Sequence, residues 1–215
     1  MTNVLGAKKD RTSVISRKEF DRALTSAKTM ECNPYYGLRD CAILCLLWLT
    51  GKRAGEVAQL ELDDVVVDEK MLRVTFTILK KRNRDRLGLR RTKDIPLSNQ
   101  YTEPITNYHD YMVSNHGDCK YLFPTTRYSN FTGQVIVAVD SHLHRVSVWR
   151  RVTKHGPGTW THLYRETQGA MVVRSQSNQI AGLFAVKQRL DLEDLNTAMR
   201  YVQRYGSDLI EEDRI

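Results

Sequence analysis

The stretch Trp160-Thr161-His162-Leu163-Tyr164-Arg165-Glu166-Thr167 decides how the rest of the chain is interpreted. On a helix, His162 and Arg165 stand three residues apart, so both side chains project from one face and can converge on a small target. A guanidinium and an imidazole aimed together suit a phosphate group. Alternatively, His162 only caps the helix and Arg165 is a solvated surface charge, which is the commoner situation for an isolated His-x-x-Arg pair. The other motifs of the chain must therefore decide between the two interpretations.

The composition is that of an ordinary globular protein with excess positive charge. The 215 residues are 41% hydrophobic and 27% charged, which is enough to bury a core in one large domain or two small ones. No apolar run approaches the length of a membrane span, and residues 1–11 lack the apolar middle of a signal peptide. We therefore expect a soluble, cytoplasmic protein with no membrane partner. Its net charge of +8 favours a polyanionic partner and association with the nucleoid.

Most of the charge excess lies in one short segment. Residues 80–93 carry +7 of the +8, because they contain eight basic residues and one acid, Asp85. The basic residues are Lys80, Lys81, Arg82, Arg84, Arg86, Arg90, Arg91 and Lys93. A charge run is by default a solvated surface, but strand-like sequences flank this one. The pattern predicts a basic hairpin, called here the basic finger (residues 80–93), that faces a polyanionic partner.

The cysteines indicate neither disulfide bonds nor a structural metal. Cys32, Cys41, Cys45 and Cys119 form no Cys-x-x-Cys pair and have no companion histidines at zinc spacing. Cys41 and Cys45 lie four residues apart in an apolar stretch, where small buried thiols are expected. We expect the protein to need no metal and no other cofactor.

Helical patterns dominate the chain. Ser16 and Glu19 form a capping box for a first helix that runs to about residue 28, and residues 36–49 predict a longer, mostly buried helix. A third helix is predicted to begin near Arg53, with an apolar stripe of Val57, Leu60 and Leu62. Later helices are predicted through residues 105–112, 147–154, from 162 onward, 180–190 and 193–205.

Strand patterns are confined to the middle of the chain. Residues 71–79 alternate and are rich in β-branched side chains, and residues 91–97 predict the returning strand, with 83–89 as a long turn. Residues 125–133 are predicted to be a polar loop, and 135–139 to be either a strand or the start of a helix. The predicted fold class is mainly α with a small antiparallel β-sheet (α+β).

Several motifs in the right order make the sequence similar to the tyrosine recombinase (phage-type integrase) family. Residues 38–44 with 49–57 resemble its first arginine box, and residues 162–165 its second. The resemblance continues through the hairpin segment 93–97, the segment 121–124 and the nucleophile segment 197–201. The likeness covers residues 16 to 205 and implies the tyrosine recombinase catalytic-domain fold. It also implies site-specific DNA cleavage and rejoining, as in DNA integration and recombination, with the basic finger binding double-stranded DNA.

With this resemblance, four residues of these motifs take a role in the expected chemistry. Arg53 and Arg165 would clamp the equatorial oxygens of a five-coordinate phosphorus, a task suited to fixed donors. His162 would hydrogen-bond the phosphate or assist proton transfer. Glu56, three residues after Arg53, would hold that guanidinium in place, although the two could equally form a simple intrahelical ion pair.

The resemblance also assigns the nucleophile and the general acid. Tyr201 would attack the phosphodiester, leaving a 3′-phosphotyrosine and a free 5′-hydroxyl, and a cationic pocket would help to deprotonate it. Tyr205 is the less well aligned alternative, and one of the two tyrosines is expected to be a packing aromatic. Either Lys80 or Lys81 would protonate the leaving 5′-oxygen.

The sequence departs from the family at residues 190–192. Most relatives carry Leu-Gly-His nine residues before the nucleophile, with tryptophan in place of the histidine in some. Here the segment is Leu190-Asp191-Leu192, so Leu192 offers no hydrogen bond. Lys187, Gln188 or Arg189 would have to compensate, and we expect an attenuated enzyme. The alternatives are a DNA-binding relative that does not cut and a type IB topoisomerase-like relaxing activity.

The expected domain organisation is simple. Residues 1–15 form a flexible N-terminal arm, residues 16–206 the catalytic domain and residues 207–215 an acidic C-terminal tail. No separate core-binding domain is expected within these residues, since about fifteen loose residues are too few to form one, so the chain is either a stand-alone catalytic domain or part of a longer protein. If the protein recombines DNA, the resemblance implies a homo-oligomer, four protomers on two duplexes.

Overall fold

A computed structural model describes residues 14–31, 33–79, 88–156 and 160–206. The helices are α1 (Arg17–Thr29), α2 (Pro34–Thr50), α3 (Ala54–Ala58), α4 (Glu103–His116), α5 (Arg145–His155), α6 (His162–Arg174), α7 (Gln179–Arg189) and α8 (Leu195–Tyr205). The strands are β1 (Val65–Val67), β2 (Met71–Thr77), β3 (Arg90–Pro96), β4 (Pro124–Ser129) and β5 (Gln134–His142). Helices dominate and both sheets are antiparallel, which confirms the predicted α+β class. No helix in these ranges is both long and apolar enough to cross a bilayer.

Helix α2 is the centre of the main core. It is buried on nearly every side, because α1, α4, α5 and α6 all pack against it. A helix that is apolar all round needs such cover. The side chain of Asn33 accepts a hydrogen bond from the Tyr35 N–H at 2.9 Å, and Gly51 ends the helix with a left-handed φ of 61°. The turn at Gly51 leads directly to Lys52 and Arg53 at the edge of the core.

Helix α1 begins as the sequence predicted. The Ser16 hydroxyl accepts a hydrogen bond from the Glu19 N–H at 3.2 Å, while the Ser16 N–H donates to the Glu19 carboxylate at 2.9 Å. The buried face contains Phe20, whose ring stacks on Trp48 of α2 with centroids 4.3 Å apart. The capping box therefore fixes the start of α1, and this aromatic pair fixes its packing on α2.

The larger sheet has the strand order β1-β2-β3. β2 and β3 form the predicted hairpin, with Val74 opposite Lys93 and Thr77 opposite Arg90. Residues 80–87 of the basic finger lie outside the described residues. The short strand β1 was not predicted; it adds to β2 through Val65–Val67.

Two local predictions were wrong. The predicted polar loop at 125–133 lies largely in strand β4, which pairs with β5 in a second sheet. The helix that begins after Arg53 ends at Ala58, before Leu60 and Leu62. These leucines are buried because their backbones pair with residues 120–122: the Leu62 N–H donates to the Lys120 carbonyl at 2.9 Å. Leu60 therefore lies between helices and Leu62 begins a one-turn 3-10 helix, Leu62–Asp64, so both leucines are buried without continuing α3.

The last three helices form a second, smaller core. α6, α7 and α8 pack on one another around Ala170, Val173, Val186, Ala198, Tyr201, Val202 and Tyr205. α6 belongs to both cores, since its Leu163 and Tyr164 pack in the main one. This shared helix carries His162 and Arg165 at the junction between the two cores.

Candidate active site

Arg53 is held on one side by Glu56. Its guanidinium Nη1 lies 3.0 Å from the Glu56 Oε1, and its backbone N–H donates to the other carboxylate oxygen at 3.1 Å. The Glu56 side chain is 1% exposed and that of Arg53 is 34% exposed. The buried carboxylate therefore fixes the guanidinium from the protein side and leaves part of it accessible.

Arg165 is buried and anchored by two backbone carbonyls. Its Nη1 donates to the Gly51 carbonyl at 2.9 Å, and its Nη2 donates to the Leu190 carbonyl. Burial and the nearby charge of Arg53 lower the pKa of Arg165 below its usual value. Arginine remains protonated in proteins, so a fixed cation is held between the α2–α3 turn and the turn after α7.

These two arginines line one cleft. The cleft has a volume of about 460 Å³, and its lining also contains His162, Lys52 and Arg145. Four of the lining residues are lysine or arginine, whereas Glu56 supplies the one carboxylate. Such an excess of positive charge in a concave site favours an anion such as a phosphodiester.

His162 lies at the start of α6 and contacts Glu166. Its Nε2 is 3.3 Å from the Glu166 Oε1, one helical turn away, and its side chain remains 52% exposed. The structure thus brings together Arg53, His162 and Arg165 from segments more than one hundred residues apart. The spacing of the His-x-x-Arg pair predicted that His162 and Arg165 share a face of the helix; it gave no sign of the contact with Glu166.

Tyr201 lies next to this group but does not line the cleft. Its ring packs against Gly169, one turn after Arg165; a Cβ at Gly169 would lie 2.3 Å from the Tyr201 Cδ1. Burial and the Glu166 carboxylate raise the pKa of Tyr201 to about 12, although Arg165 and Arg204 act in the opposite direction. The phenol is therefore protonated at neutral pH in this conformation, whereas the sequence argument expected cations to dominate around it.

Tyr205 has a packing role in this structure. It is 2% exposed, and its hydroxyl donates to the Glu166 Oε2 at 3.2 Å. Arg204 donates to the same oxygen at 3.1 Å. The last turn of α8 is therefore attached to α6 through Glu166.

A second charged cluster adjoins the cleft at Asp191. The Lys52 Nζ lies 2.7 Å from the Asp191 Oδ2, and the Lys93 Nζ lies 3.3 Å from the same oxygen. Asp191 has a left-handed backbone (φ 49°), which aspartate tolerates better than most residues. This carboxylate links the α2–α3 turn, strand β3 and the turn after α7.

Residues 88–92 of the basic finger are exposed, whereas Lys93 is half-buried. Arg90 forms an ion pair with Asp64, and the Lys93 side chain is 11% exposed beside Asp191. Arg91 is exposed to solvent. The remaining predicted DNA-binding residues, Lys80, Lys81, Arg82, Arg84 and Arg86, lie outside the described residues, and so do both candidate general acids.

Leu192 contributes no polar group near the cleft. Its side chain packs against the second core, formed by α6, α7 and α8. Of the three candidates for compensation, Arg189 is already used, since it donates to the Leu49 carbonyl at 2.6 Å. The Gln188 backbone carbonyl accepts a hydrogen bond from Lys93 at 3.2 Å. Lys187 lines a neighbouring groove together with Leu192.

Sequence reasoning missed three charged residues of this region. Arg145 and Lys52 line the cleft, and Asp191 neutralises Lys52. Lys52 is adjacent to Arg53 in sequence, which is a weak signal for it. For Arg145, at the start of α5, only the tertiary structure reveals a place in the cleft.

One group of potential metal ligands occurs within the described ranges, away from the cleft residues. Ligand atoms of Glu31, Asp40 and His155 lie within 4.8 Å of one another. Glu31 pairs with Lys154, and Asp40 pairs with Arg39 at 2.9 Å. Because the protein's own cations neutralise these carboxylates, we interpret the group as an ion-pair network that links α1, α2 and α5.

The fold and the cleft define a mainly helical α+β protein with a cationic pocket suited to a phosphodiester. The profile of the phage integrase family matches residues 13–207, and the chain belongs to that family. It is 26% identical over 138 residues to tyrosine recombinase XerC of Pelobacter propionicus, covering 64% of this chain and 42% of that protein.

Two solved structures show the same fold. A crystal structure of the XerH site-specific recombinase bound to its difH substrate before cleavage is similar over 94% of this chain and 52% of that one. Its TM-score is 0.63 at 16% identity. The XerA recombinase is similar over 94% of this chain and 65% of that one, with a TM-score of 0.60 at 19% identity. The chain therefore spans between two fifths and two thirds of the length of these relatives.

Proposed function

We propose that this protein cleaves and rejoins double-stranded DNA at specific sites through a 3′-phosphotyrosine intermediate. The observation that carries the proposal is the convergence of Arg53, His162 and Arg165 on one cationic cleft in a member of the phage integrase family. The relatives named above are a tyrosine recombinase and a site-specific recombinase bound to DNA. Residues 16–206 form the catalytic domain in this proposal.

The cleft binds the scissile phosphate before the reaction starts. The accessible part of the Arg53 guanidinium and the charge of Arg165 face the non-bridging oxygens, which gain negative charge in the transition state. Glu56 and the Gly51 and Leu190 carbonyls keep the two guanidinium groups in place. Fixed donors of this kind each contribute on the order of a hundredfold in rate.

Tyr201 is the nucleophile. Its oxygen loses a proton and attacks the phosphorus, and a phosphorus–oxygen bond to the tyrosine forms while the bond to the 5′-oxygen breaks. Lys80 or Lys81 gives the leaving oxygen a proton, and His162 hydrogen-bonds the phosphate or relays the tyrosine proton. Religation by the 5′-hydroxyl of a partner strand reverses these steps. Since Tyr201 is outside the cleft, α8 must move to bring its phenol to the phosphate.

The test is to trap the covalent intermediate on a nicked suicide duplex, from which the 5′-hydroxyl fragment diffuses away. We expect a protein–DNA adduct that disappears in Tyr201→Phe and persists in Tyr205→Phe, and that falls at least about a hundredfold in Arg165→Ala. DNA binding without any adduct would instead support a non-cutting DNA-binding protein, which the lack of a hydrogen-bonding side chain at Leu192 favours. Relaxation of supercoiled plasmid without strand exchange would indicate a topoisomerase-like activity.

Assembly on DNA follows from the same proposal. Exchange of strands between two duplexes requires a nucleophile at each of four strands, which implies four protomers. Sedimentation of the protein with two-duplex substrates would measure the stoichiometry, and a species with a single protomer would contradict this part.

A further inference from the structure

The two carboxylate oxygens of Glu166 contact residues on different helices. Oε1 lies 3.3 Å from the Nε2 of His162 on α6. Oε2 accepts hydrogen bonds from Arg204 at 3.1 Å and from the Tyr205 hydroxyl at 3.2 Å, both on α8. One side chain therefore joins the histidine of the cleft to the helix that carries Tyr201.

The surroundings of Tyr201 depend on this side chain. The charged and titratable groups around the phenol are Glu166 and Arg165 on α6 and Arg204 and Tyr205 on α8. From the α7 side, the apolar Leu190 side chain lies against Gly169, where the Tyr201 ring packs. Glu166 thus opposes ionisation of the phenol and also holds α8 against α6.

A phosphate in the cleft would compete for the contacts of Glu166. His162 is half exposed and can direct its Nε2 to either a carboxylate or a phosphate oxygen. An anion bound at His162 would also repel the nearby carboxylate, because like charges at this range disfavour each other. Loss of the histidine contact and this repulsion would both weaken the hold of Glu166 on α8.

We propose that Glu166 is a positioning residue that keeps α8 docked on α6 while the cleft is empty, and that a DNA phosphate weakens this hold by taking His162. This inference rests on the proposed function, since it supplies the movement of Tyr201 that the chemistry needs. The contact between His162 and Glu166 was not foreseen from the His-x-x-Arg motif.

The main test is Glu166→Gln, which keeps the size of the side chain and removes its charge. We expect adduct formation on the nicked duplex at neutral pH to rise about threefold to tenfold, because a shift of about one pKa unit changes the ionised fraction of a phenol tenfold. The pH profile of adduct formation should move to lower pH. Ultraviolet titration of tyrosinate, taken as the difference from the Tyr201→Phe protein, should show a lower pKa for Tyr201 without requiring activity.

Two control variants separate charge from attachment. Arg204→Gln removes one attachment of α8 but keeps the Glu166 charge, so amide hydrogen exchange in α8 should accelerate while the Tyr201 pKa does not fall. Glu69→Gln removes one carboxylate from the exposed turn between β1 and β2 and should change neither quantity. If Glu166→Gln fails to fold, hydrogen exchange in Arg204→Gln still tests the attachment of α8 to α6.

Several results would overturn the proposal. Slower or unchanged adduct formation in Glu166→Gln, or α8 exchange that responds to neither variant, would show that Glu166 does not restrain α8. DNA phosphate must also accelerate α8 exchange in the wild-type protein if it releases the contact. If the wild-type protein forms no adduct at all, the proposed function fails, while the exchange and titration results still decide whether Glu166 holds α8.

Discussion

Buried charge beside the cleft is paired within the protein. The Lys52 side chain is 1% exposed, and its ammonium group lies 2.7 Å from the Asp191 carboxylate. Asp191→Asn would leave this ammonium without its counter-charge, and breaking a buried ion pair typically costs about 3–5 kcal/mol. We expect the free energy of unfolding at neutral pH to fall by about 3 kcal/mol, as measured by urea denaturation.

A second substitution tests whether the pair causes this loss. Lys52→Met in the same protein removes the unpaired ammonium and replaces it with an apolar chain of similar length. Replacing a buried pair by apolar groups is often neutral, so the double variant should recover most of the lost stability. If the changes in stability caused by Asp191→Asn and by Lys52→Met simply add in the double variant, Lys52 and Asp191 are energetically independent.

The ion pair of Lys52 and Asp191 also predicts how the stability of the protein depends on pH. Burial raises the pKa of Asp191, but the hydrogen bond and charge of Lys52, together with Lys93, outweigh it, so the pKa lies below its usual value. The stabilisation is therefore complete above the unfolded-state pKa of about 3.9 and is lost as the pH falls through the lower folded-state pKa. The stability difference between wild type and Asp191→Asn should stay constant at neutral pH and shrink below about pH 4. A difference that grows on acidification would contradict this sign.

The packing of α8 on α6 depends on a glycine. A Cβ at Gly169 would lie 2.3 Å from the Tyr201 ring, whereas a Cβ at Gly182 in α7 would meet no heavy atom closer than 3.8 Å. Helix propensity alone favours alanine at both positions by about 1 kcal/mol. We expect Gly182→Ala to be neutral or stabilising and Gly169→Ala to cost about 1–3 kcal/mol through overpacking.

The activity of the same two variants separates packing from binding. Gly169→Ala should also raise covalent adduct formation, because the added methyl disfavours the docked position that the Tyr201 ring must leave, and it should leave DNA affinity unchanged. Equal behaviour of the two alanine variants would mean that Tyr201 does not rest on Gly169. Urea denaturation, adduct yield and DNA titration of both proteins make this comparison.

Elements whose signal is local could be predicted from the sequence. The Ser16–Glu19 capping box fixed the start of α1, and the β-branched alternation of residues 71–79 indicated β2. The strand β4 was missed because its residues are polar and half exposed, so its order comes from pairing with β5 and not from its own pattern. The early end of α3 likewise comes from the pairing of Leu60 and Leu62 with residues 120–122.

The candidate site is built from segments that are distant in sequence, which limits what the sequence could predict. The order of the motifs was enough to nominate Arg53, His162 and Arg165, because each sits in a recognisable segment. The sequence could not indicate that Arg165 would be fixed by carbonyls of two distant turns, or that Asp191 would neutralise Lys52. Those contacts depend on how the two cores meet along α6.

The distribution of charge along the whole chain predicts how DNA affinity depends on salt concentration. Nearly all of the net charge of +8 lies in residues 80–93. Binding to a duplex releases counterions, and the logarithm of the affinity falls with the logarithm of salt concentration by about 0.9 per phosphate contact. Changing Lys80, Lys81 and Arg82 to glutamine should therefore weaken binding at low salt and reduce the slope by up to about 3.

A matched variant distinguishes the basic finger from net charge. Lys18, Arg22 and Lys28 are exposed on α1, and changing them to glutamine removes the same total charge. Long-range attraction alone would weaken with either set, since it depends on the summed field of the protein. Direct phosphate contacts are local, so we expect the slope to change only for the finger variant. Equal slopes for the two variants, measured by fluorescence anisotropy over a salt series, would mean that the basic finger has no special part in holding DNA.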